Sequence, residues 1–200
     1  ETAQDILEVK AAIFGARDAF ASEGRTVPIQ ISVSLLPNGG KMLLGTDIEA
    51  VLTTLTALDV DVIGLNCSTG PEDMRDAIRY LGQNSPVPVH CIPNAGIPYQ
   101  GPDGETIFPA EPDPLAEALQ EFVEKSNVSI VGGCCGTTPE HIKAIVDRVG
   151  GRKNEPRPEK GPLMVSSMMS ATPLAQEPSP TIVGERVNSQ GSRKAKELLL

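Results

Sequence analysis

The sequence has no tryptophan, few aromatic side chains and a shortage of positive charge, and these absences exclude several classes of function. Aromatic residues make up 3% of the 200 residues, so we expect an aliphatic core. Lys and Arg number 17 against 26 Asp and Glu, which gives a net charge of −9. Because this balance repels a phosphate backbone, no nucleic-acid partner is expected. It argues equally against a basic helix that lies on a membrane surface.

Long apolar runs and a leader segment are also missing from the sequence. No stretch approaches the roughly 20 apolar residues of a transmembrane helix, so no membrane partner is expected. Residues 1–5 are polar, do not begin with Met and do not resemble a signal peptide. We therefore expect a cytoplasmic protein whose natural chain is longer. Four cysteines in that setting are better explained as metal ligands or nucleophiles than as two disulfides.

Amphipathic helices alternate with short apolar strands over the first 149 residues. This alternation predicts βαβ units and a parallel sheet covered by helices. A long loop is expected over residues 93–112. The predicted helices cover residues 3–23, 46–58, 71–82, 113 onward and 138–149, and the predicted strands cover 27–36, 60–66, 86–92 and 128–133.

Four such units fit either a small open α/β sheet or the later half of a (β/α)8 TIM barrel with parallel strands. Special residues follow the carboxyl ends of the predicted strands, at Pro37, Cys67, Asn94 and Cys134. Barrel active sites are built at that rim, so the half barrel is favoured. An open sheet also binds ligands at this edge, so the half barrel is preferred but the open sheet is not excluded.

The composition of the sequence changes after about residue 150. Residues 151–179 are rich in Pro, Gly, Ser and charge, which is typical of a linker. Residues 180–200 have the pattern of a short strand, a loop and the first turns of a helix. We interpret residues 1–150 as the C-terminal part of the first barrel, and residues 180–200 as the truncated first βα unit of a second barrel.

Two cysteine motifs lie where a strand passes into a helix that starts with proline, GLNCSTGP (64–71) and GGCCGTTP (132–139). Their strands are expected to be second neighbours, so Cys67, Cys134 and Cys135 would converge at the barrel rim. Zinc binds thiolate sulfur, and three protein ligands leave the fourth position open, as in catalytic sites. The glycines at 132, 133 and 136 permit the sharp turn that adjacent ligands require.

The cysteine pattern also fits roles that need no metal. A cysteine at a strand end can be a small buried hydrophobe, and the adjacent pair can be a redox element. A covalent nucleophile at Cys67 would need a base, but no histidine lies at a suitable strand end. Cys91, His90 and His141 lie inside a strand or a helix and are interpreted as structural.

The segments GLNC, PVHCIPNAG and GGCCGTTPEHI together resemble the homocysteine S-methyltransferase family, over residues 1–149. This resemblance implies that Cys67, Cys134 and Cys135 are the ligands of one Zn2+ ion. It also implies that homocysteine occupies the open position and that its activated thiolate accepts a methyl group to form methionine.

The resemblance also implies substrate-binding residues. Asn94 falls where the family has an asparagine that contacts the substrate, and its amide could hold the amino-acid head group. Glu1 matches an acidic residue that would pair with the substrate ammonium. Asn66 is grouped with them, although we expect it to orient the Cys67 loop more than to touch the substrate.

The tail IVGERVNSQGSRK resembles the start of a pterin-binding domain. By analogy, Glu185 and Asn188 would contact the pterin. This implies methylcobalamin as the methyl donor, recharged from methyltetrahydrofolate, with both bound by domains outside this chain, so the chain alone is expected to be inactive. Two alternatives remain open: a family member with another methyl donor, and a non-catalytic zinc or redox module.

Overall fold

The computed structural model of the protein describes residues 2–37, 39–159, 161–183 and 193–199. Three predicted site residues, Glu1, Glu185 and Asn188, lie outside these ranges. The elements in chain order are α1 (Ile6–Glu23), β1 (Gln30–Val33), α2 (Ile48–Thr56), β2 (Val62–Asn66), α3 (Pro71–Asn84), β3 (Val89–Ile92), β4 (Tyr99–Gln100), β5 (Thr106–Ile107), α4 (Pro112–Ser126), β6 (Ile130–Val131), α5 (Pro139–Val149), β7 (Met164–Ser166), β8 (Ala171–Pro173) and α6 (Arg193–Leu199).

Four strands form one parallel sheet in the order β1-β2-β3-β6. Successive strands are joined by α2, α3 and α4, which gives the predicted mixed α/β fold with a parallel sheet. Strand β3 lies between β2 and β6, as expected for second neighbours. The two cysteine motifs therefore leave the sheet on either side of β3 and at the same edge.

The core is aliphatic, as the composition predicts. Ile63, Leu65 and Leu81 are fully buried, and Phe122 is the largest fully buried side chain among the described residues. Successive residues of β1, β2 and β3 are buried, so both faces of these three strands are covered, which explains why they read as nearly continuous apolar runs.

The first helix is shorter than predicted, because its expected first residues pair with the sheet. Ala3 forms a parallel bridge with Val33, and α1 begins only after the N-cap Asp5, whose side chain accepts a hydrogen bond from Leu7 N–H. Phe14 is one of the apolar side chains that suggest this helix in the sequence, but 51% of this residue is exposed. The adjacent Ile13 is buried, and residues one position apart cannot face the same side of a helix.

Two antiparallel hairpins lie in segments whose sequence predicts irregular structure. Strands β4 and β5 pair within the predicted 93–112 loop, and β7 and β8 pair within the predicted linker. The tip of the second hairpin contacts the N-cap residue of α2, since the Met169 carbonyl accepts a hydrogen bond from Asp47 N–H at 2.9 Å. The strand predicted near residue 180 is not formed at residues 181–183, and residues 184–192 lie outside the described ranges.

Within the described part of the chain, no helix combines the length and the apolar character needed to cross a membrane.

Candidate metal centre

The sulfur atoms of Cys67, Cys134 and Cys135 meet at the carboxyl edge of the sheet. Cys135 Sγ lies 3.8 Å from Cys67 Sγ and 3.9 Å from Cys134 Sγ, and all three sulfurs lie within 4.8 Å of one another. Sulfurs at the corners of a tetrahedron around zinc, each about 2.3 Å from the ion, would be about 3.8 Å apart. The donor set therefore fits a zinc ion in both chemistry and spacing.

The chain directs Cys67 toward this cluster through a left-handed turn at the end of β2. Cys67 has φ 60° and Ser68 has φ 67°, a conformation that costs non-glycine residues about 1 kcal/mol or more each. Hydrogen bonds hold the turn: Cys67 N–H donates to Ile92 O at 3.1 Å, and Thr69 N–H donates to Cys67 O at 2.7 Å. Backbone strain is thus concentrated at a proposed ligand.

Glycines shape the turn that carries the other two cysteines, as predicted for two of the three positions. Gly136 has φ 79°, and a Cβ atom there would lie 2.2 Å from Phe108 Cγ. A Cβ atom on Gly133 would lie 2.2 Å from Thr137 Cγ2. Gly132 is not constrained in this way, because its Cβ would meet only Ile92 at ordinary contact distance.

The two asparagines expected near the substrate lie against the cysteine loops. The side-chain oxygen of Asn94 accepts a hydrogen bond from Cys135 N–H at 3.0 Å, and only 4% of this residue is exposed. Asn66 Nδ2 lies 3.9 Å from Cys134 Sγ. Both amides thus help to position the sulfurs, and direct contact with a substrate stays a prediction.

The thiol of Cys135 favours its protonated form when no cation is present. The hydrogen bond with the Cys67 thiol, followed by burial and the neighbouring Cys134, raises the pKa of Cys135 to about 11. Three sulfurs so close together ionise jointly only when a positive ion compensates their charge, and this is what a divalent metal supplies.

The remaining cysteine and one histidine have structural roles, as predicted. Cys91 is fully buried, its Sγ lies 3.8 Å from Met74 Sδ, and burial raises the pKa of its thiol. His141 Nδ1 accepts a hydrogen bond from Thr138 N–H at 3.1 Å, and its Nε2 lies 2.9 Å from Ala110 O. His141 thus caps α5, and the spacing Thr-x-x-His just before an apolar helix was the signal for this role.

The other histidine, His90, makes the stability of the fold depend on pH. Burial lowers the pKa of His90 to about 4, from about 6.5 in an unfolded chain. The folded state therefore favours neutral His90. The part of the free energy of unfolding that depends on neutral His90 is fully present above about pH 6.5 and is lost as the pH falls toward 4. The shift corresponds to about 3 kcal/mol. In denaturant titrations at pH 7 and pH 4, we expect His90→Gln to lose less stability than the wild type, and equal losses would contradict this.

Comparisons with known proteins give one family match and two similar full-length relatives. Residues 1–149 match the family model described as homocysteine S-methyltransferase. All of the chain aligns with the methionine synthases of Mycobacterium tuberculosis and Mycobacterium leprae, at 43% identity over 200 and 206 residues. The chain spans 17% of the length of each of these relatives.

A solved structure shows a similar fold. It is the apo form of the homocysteine methyltransferase MmuM from Escherichia coli, with a TM-score of 0.54 and 23% sequence identity. The similarity covers 74% of this chain and 47% of the chain of that protein.

Proposed function

This chain belongs to the homocysteine S-methyltransferase family, and on that premise we propose that it is the zinc-binding and homocysteine-binding part of a methionine synthase. Cys67, Cys134 and Cys135 would hold one zinc ion, with the fourth position left for the homocysteine sulfur. The observation that carries the proposal is the spacing of the three sulfurs, which all lie within 4.8 Å of one another, with 3.8 and 3.9 Å for the two pairs that include Cys135. Three ligands with an open fourth position are the arrangement of a catalytic zinc site.

The protein groups in this proposal bind and orient the reactants. When bound, the zinc ion would act as a Lewis acid that keeps the homocysteine sulfur deprotonated, which is the nucleophilic form. Cys135 is exposed, which leaves the cluster open to an entering substrate. Asn94 holds the Cys135 backbone, and we propose that Asn94, Asn66 and Glu1 also contact the amino-acid head group.

We further propose that the methyl donor is methylcobalamin, recharged from methyltetrahydrofolate. The support is that the 43% identity to the two methionine synthases extends over the whole chain, beyond the 1–149 family match. The domains that bind these donors would lie outside the chain, which spans 17% of those relatives. Residues 151–179 would link to a pterin-binding domain that starts at 180–200, with Glu185 and Asn188 as pterin contacts.

The sheet is proposed to be the later half of a (β/α)8 barrel. Apolar side chains near the β6 edge support this, since Ile130, Ile142 and Val146 are exposed by 38%, 42% and 58%. Upstream strands and helices of the barrel would cover this surface. The chain by itself would then be inactive.

Zinc K-edge absorption with and without homocysteine tests the substrate proposal. We expect three sulfurs and one light atom around zinc in the substrate-free protein, and four sulfurs after homocysteine is added. Homoserine, which carries a hydroxyl in place of the thiol, is the matched control and should leave three sulfurs. A spectrum that homocysteine does not change would instead indicate a non-catalytic metal site.

A further inference from the structure

Three buried polar side chains form a hydrogen-bonded row behind Cys134, and the established family function does not account for them. His90, Ser32 and Asn66 are 0%, 7% and 5% exposed. His90 Nε2 lies 2.8 Å from Ser32 Oγ, and Ser32 Oγ lies 2.6 Å from Asn66 Oδ1. Asn66 Nδ2 then faces Cys134 Sγ at 3.9 Å. The row thus leads from the interior of the sheet to one proposed ligand.

The register of the sheet makes this row possible. Ser32 on β1 and His90 on β3 are both paired with Gly64, on the strand between them. A Cβ atom on Gly64 would lie 2.5 Å from His90 Cγ, so any larger residue there would displace the imidazole ring. Because Gly64 has no side chain, His90 can reach across β2 to Ser32.

The direction of each hydrogen bond follows from the acceptor at Asn66. A side-chain carbonyl oxygen can only accept, and Asn66 Oδ1 accepts from Ser32 Oγ–H and from Thr2 N–H at 3.1 Å. Since Ser32 has one hydroxyl proton, its oxygen must accept from His90 Nε2–H. The Asn66 amide is therefore fixed with its N–H group toward Thr2 Oγ1, at 2.8 Å, and toward Cys134 Sγ.

Burying these polar side chains costs free energy, and a need to fill the core would not explain why a polar residue stands at position 90. His90 Nδ1 is buried and has no hydrogen-bond partner among the described residues. A buried unpaired polar atom costs about 1–3 kcal/mol, and an apolar side chain in this place would avoid that cost. Neutral His90 supplies what an apolar residue cannot, which is a donor to Ser32.

We propose that His90 and Ser32 are positioning residues of the metal centre, which fix the Asn66 amide so that its N–H group faces Cys134 Sγ. The inference rests on the proposed function, because it takes Cys134 as a zinc ligand. A thiolate that binds a metal accepts N–H hydrogen bonds, which orient it and offset part of its charge. Loss of such an outer partner typically weakens metal binding about 10- to 100-fold.

Zinc affinity of the natural full-length protein tests this inference, measured by competition with a chromogenic chelator. Ser32→Ala removes the shorter of the two hydrogen bonds to the amide oxygen, and the bond from Thr2 N–H remains. Asn66→Asp replaces the N–H group by an oxygen that repels the thiolate. Each variant should bind zinc about 10- to 100-fold more weakly than the wild type. The sulfur-to-metal charge-transfer band of the Co2+-loaded protein should shift in both variants.

The matched control is Ser85→Ala, which also removes a buried hydroxyl. Ser85 Oγ donates to Val87 O at 2.8 Å, at the opposite end of β3 from the cysteines. This variant should keep the zinc affinity within about twofold of the wild type and leave the charge-transfer band unchanged. A twofold change is much smaller than the loss of about 10- to 100-fold that follows when an outer partner is removed. Losses as large as those of Ser32→Ala would reveal a general folding cost and overturn the inference.

The two proposals fail in different ways. If wild type and Ser32→Ala bind one zinc ion with equal affinity, the positioning role is wrong and the proposed function stands. If the wild type binds no zinc, both proposals are wrong.

Discussion

Replacing Cys134 by serine should lower the zinc content from one ion per chain to almost none. Structural zinc sites with four protein ligands provide about 10–16 kcal/mol of binding free energy, so each ligand contributes about 2.5–4 kcal/mol, or about 60- to 700-fold in affinity. Serine offers a hard oxygen that stays protonated at neutral pH, and it therefore replaces neither the charge nor the sulfur. Metal analysis after gel filtration, together with chelator competition, measures the loss. Cys67→Ser and Cys135→Ser should lose zinc in the same way, because all three sulfurs lie within 4.8 Å of one another.

Cys91→Ala provides the internal control for this experiment. Cys91 is fully buried in the sheet and its sulfur contacts Met74, so its removal should reduce stability but leave the zinc content at one. The metal centre proposed at the three clustered cysteines would be wrong if Cys134→Ser kept its zinc. It would also be wrong if Cys91→Ala lost zinc while it remained folded.

The meeting of the three cysteines could be predicted from the sequence because it depends on strand order and strand ends. Both motifs follow a strand directly, and second-neighbour strands bring their carboxyl ends to one edge. The left-handed turn at Cys67 and Ser68 could not be predicted, since neither residue carries the glycine signal of positive φ. The contact from His90 to Ser32 could not be predicted either, because it requires the register of three strands.

The helices could be predicted more closely than the hairpins, and the reason is local chemistry. Pro71 and Pro139 are the first residues of their helices and mark the starts clearly. Strands of two residues, such as β4 and β5, are too short to show alternation. The turn residues Gly101 to Gly104 between them were the one local signal of this hairpin. The β7–β8 hairpin could not be predicted, because the composition of its segment is typical of linkers. Its tip is held by a backbone hydrogen bond to the Met169 carbonyl, which no sequence pattern reveals.

Gly64→Ala adds one methyl group, and we expect it to destabilise the sheet strongly. The added Cβ atom would lie 2.1 Å from His90 O and 2.5 Å from His90 Cγ, and the backbone oxygen cannot rotate away. Strands β2 and β3 would have to separate, and we expect a cost of about 3 kcal/mol or more, at or beyond the usual range for an overpacked core. Because the same overlap displaces His90 from Ser32, zinc affinity should fall as well. Hydrogen exchange of the amides at residues 62–66 in the full-length protein should become about 100-fold faster.

Gly15→Ala is the matched control for this substitution, since it adds the same methyl group where nothing opposes it. Gly15 lies within α1, and no heavy atom outside its own backbone surroundings lies within 4 Å of the added Cβ. Alanine in a helix interior is more favourable than glycine by about 0.5–1 kcal/mol, so this variant should be slightly more stable than the wild type. If Gly64→Ala instead exchanged as slowly as the wild type, the close approach of β2 and β3 would be wrong. The contact between His90 and Ser32 depends on that approach and would then be wrong as well.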